Sequence, residues 1–154
     1  MAIGSNLDNP IAQVSAGFVA LEQLPNTRVI ARSQLYCSPP LGPQEQPEYV
    51  NAVAGLLTQL TPQNLLTELQ RLEMHLGRTQ PVQRWGPRVI DFDLVVYGNQ
   101  QISSDTLTVP HAEIAKRNFV LVPLAEIAPT LDVPGHGRVE VLAARVGSAG
   151  LRLL

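Results

Sequence analysis

Twice in this chain a capping residue and a proline introduce an apolar stripe at helical spacing, and that doubled signal limits the fold more than any other feature. Asn9-Pro10 pairs an N-cap residue with a first-turn proline, and Ile11, Val14, Phe18, Leu21 and Leu24 follow three or four apart. The spacing predicts a helix from about Pro10 to Leu24. Thr61-Pro62 repeats the signal ahead of Leu65, Leu66, Leu69, Leu72 and Leu76, with Gly77 as the stop. Between the two helices, Arg28 to Tyr36 is β-branched and alternating, and it leaves through the rigid loop Pro39-Pro40-Leu41-Gly42-Pro43. Tyr49 to Leu57 then alternates, with Val50, Ala52, Ala54 and Leu56 on one face and Tyr49, Asn51 and Val53 on the other. A short strand at Met1 to Gly4 and a central one at Val89 to Tyr97, where Ile90, Phe92, Leu94 and Val96 share a face, complete a βαββαβ order. Short helical segments over Pro110 to Lys116 and Phe119 to Ala128, then a turn at Val133 to Gly137, finish the pattern. Two striped helices can cover one face of an antiparallel sheet, so the expected architecture is an α+β, ferredoxin-like sandwich with the second face open to ligands.

At 154 residues, 45% hydrophobic and 16% charged, the chain can bury one sizeable core, and a single domain over 1–154 is expected. A net charge of -2 argues against a generally basic surface and so against a nucleic-acid partner. No apolar stretch approaches the ~18 residues that span a bilayer. Cys37 is the sole cysteine and the opening residues Met1 to Asn6 carry no signal-like pattern, so a reducing, cytoplasmic setting is expected; a monomer with no membrane partner is the accompanying expectation.

The placement of charge is more telling than its amount. From Met74 through Ile90 there is no Asp or Glu, while Arg78, Arg84 and Arg88 all fall inside, flanked by Glu73 and Asp91. Arginine's planar fork suits bidentate contact with phosphate. Asp91 and Asp93, two apart on a strand, project from the face opposite Phe92, about 7 Å from one another. Hard oxygen ligands so aligned suit Mg²⁺ held jointly with substrate phosphates; the plain alternative is a solvated strand face with two ordinary acids. Arg84-Trp85-Gly86-Pro87-Arg88 feeds two guanidinium groups and an indole into the space above those carboxylates, a surface cation–π pair being the plainer reading. Gln70 and Glu73, three apart and off the leucine stripe, can face the same site. His111 follows Pro110 at an expected helix start, with Arg117 six residues on, where a phosphate contact and a simple cap compete. Tyr49 and Asn51 share a strand face that pairs a flat ring with a two-way amide, which suits a planar heterocycle, and Phe119 can add a second stacking surface or sit in the core.

Taken together, Gly4-Ser5-Asn6-Leu7, Pro39 to Pro43, Tyr49-Val50-Asn51-Ala52, Arg84 to Asp93, Val109-Pro110-His111 and the Phe119 to Leu124 run with Glu126 to Pro129 resemble the 6-hydroxymethyl-7,8-dihydropterin pyrophosphokinase family of folate biosynthesis. The resemblance implies transfer of pyrophosphate from ATP to a pterin hydroxymethyl group, with AMP released and two Mg²⁺ ions. On that likeness Asp91 and Asp93 are metal ligands, and they join Arg78, Arg84 and Arg88 as the catalytic group. Gln70, Glu73, Arg78, Arg84, Arg88, Leu94, Thr108, His111 and Arg117 fall at ATP-site positions. Ser38, Pro39, Leu41, Tyr49, Asn51, Trp85 and Phe119 fall at pterin-site positions. The chain departs from the family at a short first strand, at Ala112 after His111, and at Gln80 and Pro81, a loop stretch often more basic in relatives. Two other classes compete: a non-catalytic RNA-binding module on the same fold, disfavoured by two acids on the strand that would meet phosphate, and a metal-dependent phosphohydrolase.

Overall fold

A computed structural model describes residues 1–78 and 85–154, so Gln80, Pro81 and Arg84 lie outside the described residues. The elements run β1 (Ala2–Ser5), α1 (Pro10–Leu21), β2 (Thr27–Arg32), β3 (Tyr36–Ser38), β4 (Tyr49–Thr58), α2 (Pro62–His75), β5 (Asp91–Asp93), β6 (Ile102–Ser103), β7 (Thr108–Val109), a 3₁₀ turn (Ile114–Lys116), α3 (Asn118–Ile127), β8 (Asp132–Val133), β9 (Gly137–Arg138), α4 (Val139–Val146) and β10 (Arg152–Leu153). Both proline-marked helices begin where their caps place them, with Asn9 Oδ1 accepting from the Ala12 N–H and Thr61 Oγ1 from the Asn64 N–H. α1 stops at Leu21 rather than Leu24, because Glu22, Gln23 and Leu24 bond back three residues instead of four and tighten the last turn.

Among the described residues the main sheet is antiparallel throughout, in the order β10-β3-β4-β1-β5, with β2 also paired to β4. The single strand expected over Arg28 to Tyr36 is thus two pieces. Ser33 divides them: its N–H donates to Val53 O and its Oγ accepts from the Val53 N–H, so a side chain replaces part of the ladder. Likewise the strand expected over Val89 to Tyr97 is reduced to Asp91–Asp93, since β1 pairs Ala2 with Asp93 and offers no residue opposite Tyr97.

Alternation assigns the two faces. Ile3, Val50, Ala52, Ala54, Phe92 and Leu94 point into a core roofed by Val14, Phe18 and Leu21 of α1 and Leu65 and Leu69 of α2. The second face is not wholly open, which corrects the expectation of helices on one side alone. Val120, Leu121 and Leu124 of α3 and Val139 and Leu142 of α4 pack with Ala2, Val53 and Val95 into a second core. The part of that face around Gly4, Asn51, Asp91 and Asp93 is left open by these helices. No described helix is long and apolar enough to cross a membrane.

Candidate active site

The uncovered part of the second face is a pocket of about 380 Å³. β5 supplies the acids at its centre. Asp91 and Asp93 straddle Phe92, whose side chain enters the first core, so both carboxylates emerge on the pocket side. Asp91 Oδ1 accepts from Arg78 Nη1 at 2.9 Å and from Arg88 Nη1 at 3.0 Å, and Asp93 lies 3.8 Å from Arg117. Burial, followed by repulsion from Asp91, pushes the Asp93 carboxyl up to about 6, against the pull of Arg117, Arg88 and Arg78.

Glu73, like Gln70, does not line the pocket. It falls four and eight residues after Leu69 and Leu65, on the buried stripe of α2, and so points inward beneath β5. There Oε1 accepts the Phe92 N–H at 2.8 Å and Oε2 pairs with Arg78 Nη1. Burial raises its carboxyl to about 7, the Phe92 and Arg78 bonds opposing. Gln70 is exposed and, with Thr108 on β7, does not line the pocket. Leu94 follows Asp93 and alternation sends its side chain to the first core. The structure therefore brings Arg88, His111 and Arg117 of the expected ATP set to the pocket wall, holds Arg78 behind Asp91, and leaves Gln70, Leu94 and Thr108 side chains outside.

His111 is not at a helix start. Its N–H is spent on Val95 O, and its Nδ1 accepts from the Glu113 N–H at 3.1 Å, so the ring proton sits on Nε2. Burial and then Arg117 lower its pKa, which favours a neutral donor.

All seven expected pterin positions, Ser38, Pro39, Leu41, Tyr49, Asn51, Trp85 and Phe119, line the pocket. Asn51 is buried and donates through Nδ2 to Ser38 Oγ at 2.8 Å, which leaves its Oδ1 as an acceptor. Gly4 lies beside it, where an added Cβ would stand 3.4 Å from Asn51 Oδ1. Tyr49 donates its hydroxyl proton to Gly86 O at 2.8 Å. The indole of Trp85 has a cation partner from another element: Arg117 Cζ stands 5.4 Å from its centroid and 5.7 Å from that of Phe119.

Sequence reasoning missed what holds Trp85–Arg88 in place. Asn6 donates its backbone N–H to Arg88 O, accepts the Arg88 N–H on its side-chain Oδ1 and donates through Nδ2 to Gln46 Oε1, while Gln46 Nε2 donates to Trp85 O. Trp85 sits at φ 64, costly for a bulky residue, and its Cβ would lie 2.8 Å from a Cβ at position 42, so Gly42 is required beside it. The Gly-Ser-Asn turn was a visible signal for Asn6; Gln46 left none.

Acids ringed by guanidinium groups, beside a slot with flat rings and a buried amide acceptor, equip a phosphoryl-transfer enzyme with a planar second substrate. A model of the 7,8-dihydro-6-hydroxymethylpterin-pyrophosphokinase family matches residues 1–129. The chain is 49% identical over 134 residues to the 2-amino-4-hydroxy-6-hydroxymethyldihydropteridine pyrophosphokinase of Haemophilus influenzae, covering 87% of this chain and 83% of that one. It is 48% identical over 145 residues to the enzyme of the same name from Pseudomonas aeruginosa, covering 94% and 89%. A fungal relative, the folic acid synthesis protein fol1 of Schizosaccharomyces pombe, is 33% identical over 154 residues, 99% of this chain but 21% of that protein. The chain belongs to the 7,8-dihydro-6-hydroxymethylpterin-pyrophosphokinase family and has that family's activity, an ATP-dependent diphosphotransfer. Neither the RNA-binding reading nor the phosphohydrolase reading finds support in these relatives.

Proposed function

We propose that this pocket carries the transfer of pyrophosphate from ATP to the hydroxymethyl group of 6-hydroxymethyl-7,8-dihydropterin, releasing AMP, and that residues 1–154 form one ferredoxin-like pyrophosphokinase domain acting as a cytoplasmic monomer. The observation that carries the assignment is the joint lining of one 380 Å³ pocket by the acids, three arginine or imidazole donors and the full heterocycle set. The ring lies between the Tyr49 and Phe119 side of the pocket, and Asn51 Oδ1 accepts an N–H from its polar edge while Ser38 holds the amide in that orientation. An ill-matched ring leaves that buried acceptor unpaired, at about 1–3 kcal/mol.

Among the described residues no three His, Cys, Asp or Glu side chains form a protein-only metal cage. Two partly buried, mutually repelling carboxylates, one raised to about 6, are instead a donor set suited to Mg²⁺ completed by phosphate oxygens and water. Asp91 and Asp93 would hold the two ions, which would neutralise polyphosphate charge. Arg88 and Arg117 meet phosphate oxygens, neutral His111 donates from Nε2, and Arg78 keeps Asp91 in place from behind. Arg84 joins them from outside the described residues on the strength of the family motif. The pterin hydroxyl oxygen bonds to the β-phosphorus, the bond from that phosphorus to the α,β-bridging oxygen breaks and its electron pair leaves with AMP, and the hydroxyl proton is released to solvent. Calorimetry with each substrate separately tests the division: Asn51→Ala weakens pterin and spares ATP if it is right, and weakens both equally or neither if it is wrong.

A further inference from the structure

The segment Ser148–Leu154 lies beyond the residues matched by the family model, yet its contacts converge on the heterocycle half of the pocket. Its strand β10 pairs Arg152 with Cys37 and Leu153 with Tyr36, and the Leu154 N–H donates to Leu35 O. Arg152 Nη2 reaches Cys37 Sγ at 3.3 Å and Glu48 Oε2 at 2.8 Å, while the Cys37 thiol donates to that same carboxylate at 3.1 Å. At the other end, Asn118 Nδ2 donates to Ala149 O at 2.9 Å. Gly150, at φ +77, runs so close to the wall that an added Cβ would meet Pro39 Cδ and Cγ at 3.4 Å.

Apart from Leu35 and Tyr36, which lie further back along the same stretch of chain, each anchor is a pocket residue or its immediate neighbour. Cys37 precedes Ser38, Glu48 precedes Tyr49, Asn118 precedes Phe119, and Pro39 is itself in the lining. One short segment thus ties the β3–β4 wall, which carries Ser38, Pro39, Tyr49 and Asn51, to the start of α3, which carries Phe119. We propose that Ser148–Leu154 is a positioning strap that sets the separation of these two walls and with it the affinity for the planar substrate. The inference rests on the assignment of this half of the pocket to the pterin. A ring held between surfaces from different elements gains contact only at the right spacing, so a strap that fixes the spacing acts on ring binding and leaves the carboxylate–arginine half alone.

Binding of 6-hydroxymethylpterin can be followed by the fluorescence of Trp85, the only tryptophan. The chain without Ser148–Leu154 is expected to bind it about tenfold more weakly, or roughly 1.4 kcal/mol, with Mg-ATP affinity unchanged and kcat at saturating pterin close to that of the full chain. Arg152→Ala, which keeps the strand, is expected to raise the pterin KM about threefold at constant kcat, with partial rescue in Arg152→Lys; this surface variant decides the matter where the deletion does not fold. Asn51→Ala runs alongside as the reference for the pocket. If Asn51→Ala weakens the pterin while the deletion and Arg152→Ala do not, the strap is wrong and the pocket assignment stands. If Asn51→Ala has no effect, the pocket assignment fails and takes the strap with it. Equal loss of ATP and pterin binding in the strap variants also overturns the proposal, since it reports general loosening.

Discussion

Removing the Glu73 carboxylate tests how the acids are held. Its Oε1 is the acceptor for the Phe92 N–H, the one backbone donor between Asp91 and Asp93, and its Oε2 pairs with Arg78, which in turn bonds Asp91. In Glu73→Ala the buried N–H is left unpaired at about 1–3 kcal/mol. Breaking a buried ion pair from one side costs about 3–5 kcal/mol, but Arg78 keeps Asp91, and the two losses share one carboxylate and overlap. The expected net destabilisation is therefore about 3–5 kcal/mol, a large part of an ordinary domain's stability. Glu73→Gln keeps an oxygen for Phe92 and most of the volume, and about 1–2 kcal/mol is expected. Urea unfolding supplies both values, and turnover measured in parallel should fall further in the alanine variant, because the register of Asp91 and Asp93 loses its anchor. The pH dependence has a definite sign. A carboxyl raised from 4.5 to about 7 binds its proton more tightly in the native state, so its contribution is fullest at low pH and declines as pH rises from 4.5 towards 7. Glu73→Gln should lack that decline. An alanine variant within 1 kcal/mol of wild type, a difference below about a factor of ten in the folding equilibrium, would refute the reasoning.

Asp93→Asn should abolish most AMP formation, a barrier increase of several kcal/mol, while thermal unfolding at neutral pH shows no loss of stability, because a strained charge has been removed; unfolding at markedly lower temperature would contradict this. Gly4→Ala places a methyl 3.4 Å from Asn51 Oδ1 and should weaken pterin binding without touching ATP, as calorimetry can check. Tyr36, raised to about 12 by burial and by its bond to Glu126, should give a late step in an absorbance titration, and Tyr36→Phe should delete that step.

Period-two alternation and cap signals placed both main helices, the β4 faces and the Asp-x-Asp pair, because each depends on neighbours in the chain. What escaped depends on partners far away. The strand over Val89 to Tyr97 shortens because strand assignment needs a ladder neighbour, and β1 runs short of it. α4 and β10 were not anticipated, since neither carries a cap signal, and Arg138 makes no side-chain cap. Glu73 misled for a different reason: a polar residue on an apolar stripe reads as solvent-facing until the unpaired Phe92 N–H above it is known. The residues of the proposed heterocycle half were signalled by Tyr49, Asn51 and the family motifs, and all of them line one pocket. Those of the proposed ATP half were less evident, as Gln70 and Thr108 sit outside that pocket and Leu94 offers its side chain to the core.

The central claim is that the acids and the heterocycle slot serve one transfer from the β-phosphorus. Incubating the protein with ATP, Mg²⁺ and 6-hydroxymethyl-7,8-dihydropterin and resolving the nucleotide product tests it most directly. The account predicts AMP and pyrophosphorylated pterin in equal amounts, with none of either when the pterin is withheld. Formation of ADP, or of AMP without the pterin, would contradict it.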